Sequence, residues 1–168
     1  MEEREFDKYI LEQTPDLPFH PPGSFEGTEM FFLTGQVIPG AFRVMSSWLA
    51  GPWEEKDTYK PHAHPHNEVL MFLGSDYSKP QELGGEIEFW FKDDKYILTK
   101  SCIIFVPAMV QHNPMRPVKV DDPMKPMLFV GIVPSSFEDD VRYFSRDPKW
   151  DEFKNPPAAP GVRFEWLD

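Results

Sequence analysis

The sequence predicts an all-β domain, a two-sheet antiparallel sandwich or barrel, carrying one short helix and Pro-rich terminal extensions. Three observations carry this expectation. Short runs of aromatic and β-branched residues recur along the chain, bounded by Gly, Pro, Asn or Asp. Nineteen prolines are spread through the 168 residues, and Pro breaks helix interiors and cannot donate in a strand ladder. Finally, no stretch reads as a long helix. Such a chain favours short strands and ordered loops over a helical bundle.

In chain order, residues 1–27 read as a polar, Pro-rich N-terminal arm, with a short helix at Glu3 to Gln13. Residues 28–134 read as the barrel. Its strand candidates are residues 30–33, 41–49, 68–73, 86–91, 96–98, 102–106 and 127–133. Gly84-Gly85 and Asp93-Asp94 are natural turn sites. In the run from Glu86 to Phe91 the alternation fails at Trp90, which falls on the nominally polar face; burial of the strand end on both sides would explain it. Residues 135–168 read as a short helix, Phe137 to Phe144, capped by Ser135 or Ser136, followed by a tail. The tail aromatics Trp150, Phe153, Phe164 and Trp166 imply packing on the barrel or on a partner subunit.

Composition excludes several function classes. The chain has 28 acidic against 17 basic residues, a net charge of −11, so its surface repels phosphate backbones and nucleic-acid binding is not expected. The single cysteine, Cys102, excludes an internal disulfide and a Cys-rich zinc site; it reads as a small core residue. The charged start, Met1 to Glu5, has no apolar segment behind it, and no apolar run approaches the roughly 20 residues needed to cross a bilayer. A cytoplasmic location without membrane contact is the expectation.

Three of the five histidines fall within five residues, in Pro61-His62-Ala63-His64-Pro65-His66-Asn67-Glu68. Two apart on a strand, His62 and His64 face the same way with Cα atoms roughly 6.6 Å apart, and both imidazoles can reach one ion with bonds of about 2.0–2.1 Å. Glu68 shares that face by parity, but in a continued strand it would lie roughly 13 Å beyond His64. Pro65-His66-Asn67 is good turn material, so the chemistry predicts strand, tight turn, strand. His112 follows the apolar run Cys102 to Val106, and antiparallel pairing could bring it to the group. Imidazole and carboxylate ligands suit iron, manganese, nickel, cobalt, copper or zinc.

These residues resemble the cupin superfamily. The first cupin motif, Gly-x5-His-x-His-x(3,4)-Glu-x6-Gly, reads here His62-x-His64-x3-Glu68-x5-Gly74, with Lys56 at the place of the leading Gly. The second, Gly-x5-Pro-x-Gly-x2-His-x3-Asn, is matched by Pro107-x4-His112, with Ser101, Met109 and Arg116 replacing the two glycines and the Asn. The resemblance covers about residues 41–133. It implies a double-stranded β-barrel (jelly roll) holding one divalent metal ion inside through His62, His64, Glu68 and His112. The family Gly at the position of Met109 often serves a turn with φ > 0, which Met tolerates poorly. A homodimer is implied as well.

The function expected is a metal-dependent enzyme acting on a small molecule. Dioxygenase chemistry on iron or manganese is favoured, with isomerase, lyase and decarboxylase chemistry as other family reactions. The alternative is a non-catalytic cupin that binds a small molecule or the ion itself. Pocket candidates are Tyr59, His66, Phe89, Trp90, Gln111 and Phe129, with Phe32 and Trp48 as further aromatic candidates for the barrel mouth. His66 is expected at the exposed tip of the turn, His20 as a structural residue, and Glu86 and Glu88 on a solvated strand face.

Overall fold

The structure, a computed structural model, describes residues 6–12, 30–35, 37–54, 58–135, 141–153 and 163–167. Eleven strands form two sheets. The five-stranded sheet contains β1 (Met30–Leu33), β2 (Arg43–Leu49), β4 (Glu68–Gly74), β7 (Cys102–Val106) and β9 (Met127–Val133), ordered β1-β2-β9-β4-β7. The six-stranded sheet contains β3 (His62–Ala63), β5 (Glu82–Phe91), β6 (Asp94–Lys100), β8 (His112–Val120), β10 (Val141–Phe144) and β11 (Arg163–Trp166), ordered β11-β10-β3-β8-β5-β6. All pairings are antiparallel except β10 with β11. This is the expected all-β double-stranded β-barrel class.

The core lies between the sheets. Leu49, Leu70, Phe72, Val106, Met127 and Phe129 from the five-stranded sheet meet Leu83, Ile87, Phe89 and Met115 from the six-stranded one. Strand periodicity explains the choice. Met127, Phe129, Gly131 and Val133 alternate with half-buried neighbours along β9, because successive side chains face opposite ways. Gly74, the final glycine of the first motif, ends β4 where the β5 backbone approaches; a Cβ there would run into the Glu82 carbonyl oxygen.

Several expectations are corrected. Gly84 and Gly85 do not turn the chain. They lie inside β5, where Gly84 takes φ 77° and the register against β6 is irregular. The Phe137 to Phe144 helix is not formed in its described part: Val141–Phe144 is β10, a β-branched and aromatic run that pairs with β3; residues 136–140 lie outside the described residues. Of the Glu3 to Gln13 helix, the described part forms one 3-10 turn, Asp7–Tyr9. The reading also missed β8. Pro114 and Pro117 argued against a strand there, yet β8 pairs with β5 through register shifts at Glu86/Ile87 and Phe89/Phe91, beside those prolines.

The tail packs where it is described. Trp150, in the 3-10 turn Pro148–Trp150, meets Trp90 edge-on with ring centroids 5.3 Å apart. This covers the outer side of the β5 end and explains the broken alternation there. Glu88, expected in solvent, is buried beside it. Its carboxylate accepts from Trp90 Nε1–H at 2.9 Å and Arg116 Nη2 at 3.2 Å, and lies 3.0 Å from Lys95 Nζ. Burial pushes the carboxyl up, but the bonds from Trp90, Lys95 and Arg116 outweigh it and hold Glu88 below the ordinary carboxylate value.

A carboxyl held low in the folded state contributes stability above its unfolded value, near 4.5, and loses that contribution as pH falls through the folded value. Glu88→Gln should therefore lower stability at pH 7 by about 1–3 kcal/mol, measured by urea unfolding. The gap to wild type should close as pH drops below 4.5; a gap independent of pH would contradict the network.

Candidate metal centre

The expected strand, turn, strand is present, and its two strands lie in different sheets. His62 belongs to β3 of the six-stranded sheet, the chain bends at Pro65 and His66, and Glu68 opens β4 of the five-stranded sheet. Glu68 is thereby carried to the opposite wall of the same interior. His112 opens β8, where it is the direct cross-strand partner of His62. Facing residues on paired strands lie about 4.5–5.5 Å apart, and the two rings sit 4.8 Å apart. His64 is 5.1 Å from His112, ring to ring.

Two hydrogen bonds tie together the turns that carry the candidate ligands. Met109 N–H donates to the His64 carbonyl at 2.9 Å, and Ala108 N–H donates to Asn67 Oδ1 at 2.9 Å. Met109 does adopt the left-handed conformation, φ 61°, with a side chain that resists it.

Each imidazole is held from behind. His62 Nδ1–H donates to Lys60 O at 3.2 Å, His64 Nδ1–H to His66 O at 2.7 Å, and His112 Nδ1–H to Val110 O at 3.0 Å. That tautomer leaves each Nε2 as a lone-pair donor, the state a metal requires. Glu68 Oε2 lies 3.2 Å from His64 Nε2 and 3.1 Å from His112 Nε2. Burial would raise the Glu68 carboxyl, but contact with His112 and His64 holds it well below its ordinary value. All four side chains are buried, between 1% and 6% exposed.

The residues present fit a metal ion. His64, Glu68 and His112 each offer a ligand atom, and these atoms lie within 4.8 Å of one another. His112 Nε2 is enclosed without a hydrogen-bond partner among the described groups, although a carboxylate oxygen is close. A buried nitrogen and a buried carboxylate that meet without hydrogen-bond alignment suit a shared cation. His62 stands beside this group but outside it, 6.2 Å from His64 ring to ring.

The other candidates separate. Phe89, Phe129 and Phe32 belong to the buried core. Trp90 packs outside the sheet, bonded to Glu88 and covered by Trp150. Trp48 is 55% exposed and so does not line the interior. Gln111 is half-buried, and its carbonyl accepts from Lys92 N–H. His66 is half-buried rather than exposed; its main-chain oxygen orients His64, and its own Nε2 is enclosed without a partner among the described groups. Tyr59 is half-buried, and burial pushes its phenol up against the opposing charge of Arg142. His20 lies outside the described residues. The reading missed Phe91, cross-strand to His112, and Phe144, whose ring is 5.7 Å from that of His62. Period-two counting on from Phe89 could have found Phe91; Phe144 was hidden by the helix expectation.

No known protein-family profile and no curated protein matches this chain. Among solved structures it is similar to cupin-like and double-stranded β-helix proteins. These include a cupin-like protein of Thermotoga maritima (16% identity over 63% of this chain and 67% of that one, TM-score 0.39). A second is a protein of Klebsiella pneumoniae with a double-stranded β-helix domain (14% identity, 79% and 89%, TM-score 0.39). A third is the DMSP lyase DddQ of Ruegeria pomeroyi (18% identity, 63% and 46%, TM-score 0.38). The match spans less than half of that lyase, 46% of its chain. Among the described residues, no helix is long and apolar enough to cross a membrane.

The bend at Met109 generates a stability prediction. A side chain in the left-handed region costs about 1–2 kcal/mol, and glycine returns about 0.5–1 kcal/mol of that through chain entropy. Met109→Gly should raise Tm by about 1–4 °C in a chain of this size, read by calorimetry. A fall in Tm would mean that the Met side chain contributes packing which its 49% exposure does not suggest.

Proposed function

We propose that this cupin-like chain is a metal-dependent enzyme acting on a small molecule, with its ion held by His64, Glu68 and His112 and completed by His62. The observation that carries the reading is the common orientation of the imidazoles: each Nδ1–H is committed to a backbone carbonyl, and the Nε2 atoms of His64 and His112 converge on Glu68. Bound there, a divalent ion would supply Lewis-acid or redox chemistry to a small molecule. The nitrogen and oxygen ligand set suits iron or manganese, and oxygen-dependent chemistry is the finer reading; lyase, isomerase or decarboxylase chemistry would use the same ligands.

The chain's own groups do the rest. The three carbonyls hold the rings in one tautomer and orientation. Glu68 supplies the carboxylate oxygen that faces the Nε2 atoms of His64 and His112. The apolar walls formed by Val106, opposite Glu68, and Phe144, opposite His62, exclude bulk water and strengthen every electrostatic contact inside. The Tyr59 phenol, pushed up by burial, stays protonated and can donate a hydrogen bond.

Metal content by mass spectrometry tests this. Wild type should purify with, or take up, close to one ion per chain. His64→Ala and His112→Ala should lose more affinity than the roughly 10–100-fold that removal of an outer hydrogen-bond partner costs. His62→Ala should lose less than either, since its ring must close in on the group. Full metal content in His64→Ala would sink the assignment. Oxygen uptake by the iron-loaded, anaerobically prepared protein separates the oxygenase reading from redox-neutral chemistry.

A further inference from the structure

The five-stranded sheet turns Leu49, Leu70, Phe72, Val106 and Phe129 into the core, so their neighbours along each strand face outward. An antiparallel sheet with one solvated face ordinarily reads apolar inside and polar outside. This one is apolar on both. One outward row runs from Phe105 to Val69, Ile132 and Val44 across four strands. The next runs from Ile103 to Met71, Val130 and Ser46, and a third joins Leu73, Leu128 and Trp48. Among the described residues of these rows none is charged, and Ser46 alone is polar. The outer face of the six-stranded sheet is the opposite case: Glu82 pairs with Lys100, Glu86 with Lys119, and Glu88 with Lys95 and Arg116.

The face is also large and open. Ile103, Phe105, Trp48 and Phe42 are between 52% and 67% exposed, and Phe42 lines a shallow apolar depression with Val69, Ile132 and Pro134. Large side chains bury about 150–250 Å² each when enclosed, so these four alone offer roughly 400–500 Å² at their exposures. The half-buried members of the rows extend that toward the about 800 Å² which each partner gives to a standard interface. Contiguous apolar surface on this scale marks a contact with another molecule.

We propose that this outer face packs against the same face of a second copy of the chain, across a two-fold axis. Charge favours that occupant. A chain of net charge −11 repels its own copies, and on this face no described carboxylate opposes another. Homodimer interfaces are the more apolar class, with charged residues depleted at their core. Shape favours it as well: two sheets pack face to face about 10 Å apart, and a two-fold contact asks only that one patch complement itself. The proposal is independent of the metal reading, because the outward rows hold none of the candidate ligands.

Sedimentation velocity of the purified full-length protein, from nanomolar to high micromolar concentration, tests it. Wild type should sediment at twice the chain mass. Phe105→Lys and Ile103→Lys should each raise the dimer Kd by roughly 100-fold, because the new charge is buried unpaired or opposed by its copy, and the change enters the contact twice. Each also makes the chain less negative, so weaker association cannot come from greater overall repulsion. Ile97→Lys, on the outer face of the other sheet opposite Glu88, should leave the dimer intact. Melting curves check that the variants fold; if Phe105→Lys does not, Phe105→Ser takes its place. Three results would overturn the proposal. One is a monomeric wild type, whether the chain's own remaining residues cover the face or a different protein takes it. The others are an unchanged Kd in both face variants, and an equal loss in Ile97→Lys.

Discussion

Glu68 is the point at which the two sheets are chemically joined. Its carboxylate opens a strand of the five-stranded sheet and meets imidazoles carried by the six-stranded one, at 3.1 and 3.2 Å. A buried carboxylate is costly unless it is paired, hydrogen-bonded or bound to a cation. Its environment therefore has to be exact in register as well as in composition. The bend at Pro65 and His66, the cross-strand pairing of His62 with His112, and the ties from Met109 and Ala108 each remove one freedom from that meeting. A slip of one residue in the β3–β8 register would turn His112 to the outside.

The rest of the barrel accommodates this end. The hydrophobic core, from Phe72 and Phe129 to Ile87 and Met115, lies between the sheets and is satisfied by alternation alone. The irregularities gather on β8, the strand that carries His112. There a left-handed Asn113, Pro114 and Pro117 are met by register shifts in β5, which let a proline-bearing strand sit in a sheet. The tail helps from outside, where Trp150 covers Trp90 and β11 pairs with β10.

Much of this was legible in the residues. The strand candidates at 30–33, 102–106 and 127–133 match β1, β7 and β9 residue for residue, because β-branched and aromatic runs ended by turn residues have few other stable states. Parity and reach, with no structure, required a turn between His64 and Glu68. The second-motif departure at Met109 left two outcomes, a loop that bends differently or one that carries strain, and φ 61° is the strained one. The misses share a cause. β8 and β10 are strands by virtue of their neighbours: two prolines mask the first, and an acidic lead-in mimics a helix start before the second.

What the sequence determined by itself is therefore local: alternation, the turn at Pro65 to Asn67, and a His-x-His pair two residues apart that must face one way. Tertiary structure decided which sheet each candidate ligand lies in or beside, that Glu88 would be enclosed while Trp48 stayed in solvent, and that His112 would stand opposite His62. Those facts depend on strand partners distant in the chain, and a partner's register is set by packing and main-chain pairing that no local pattern encodes.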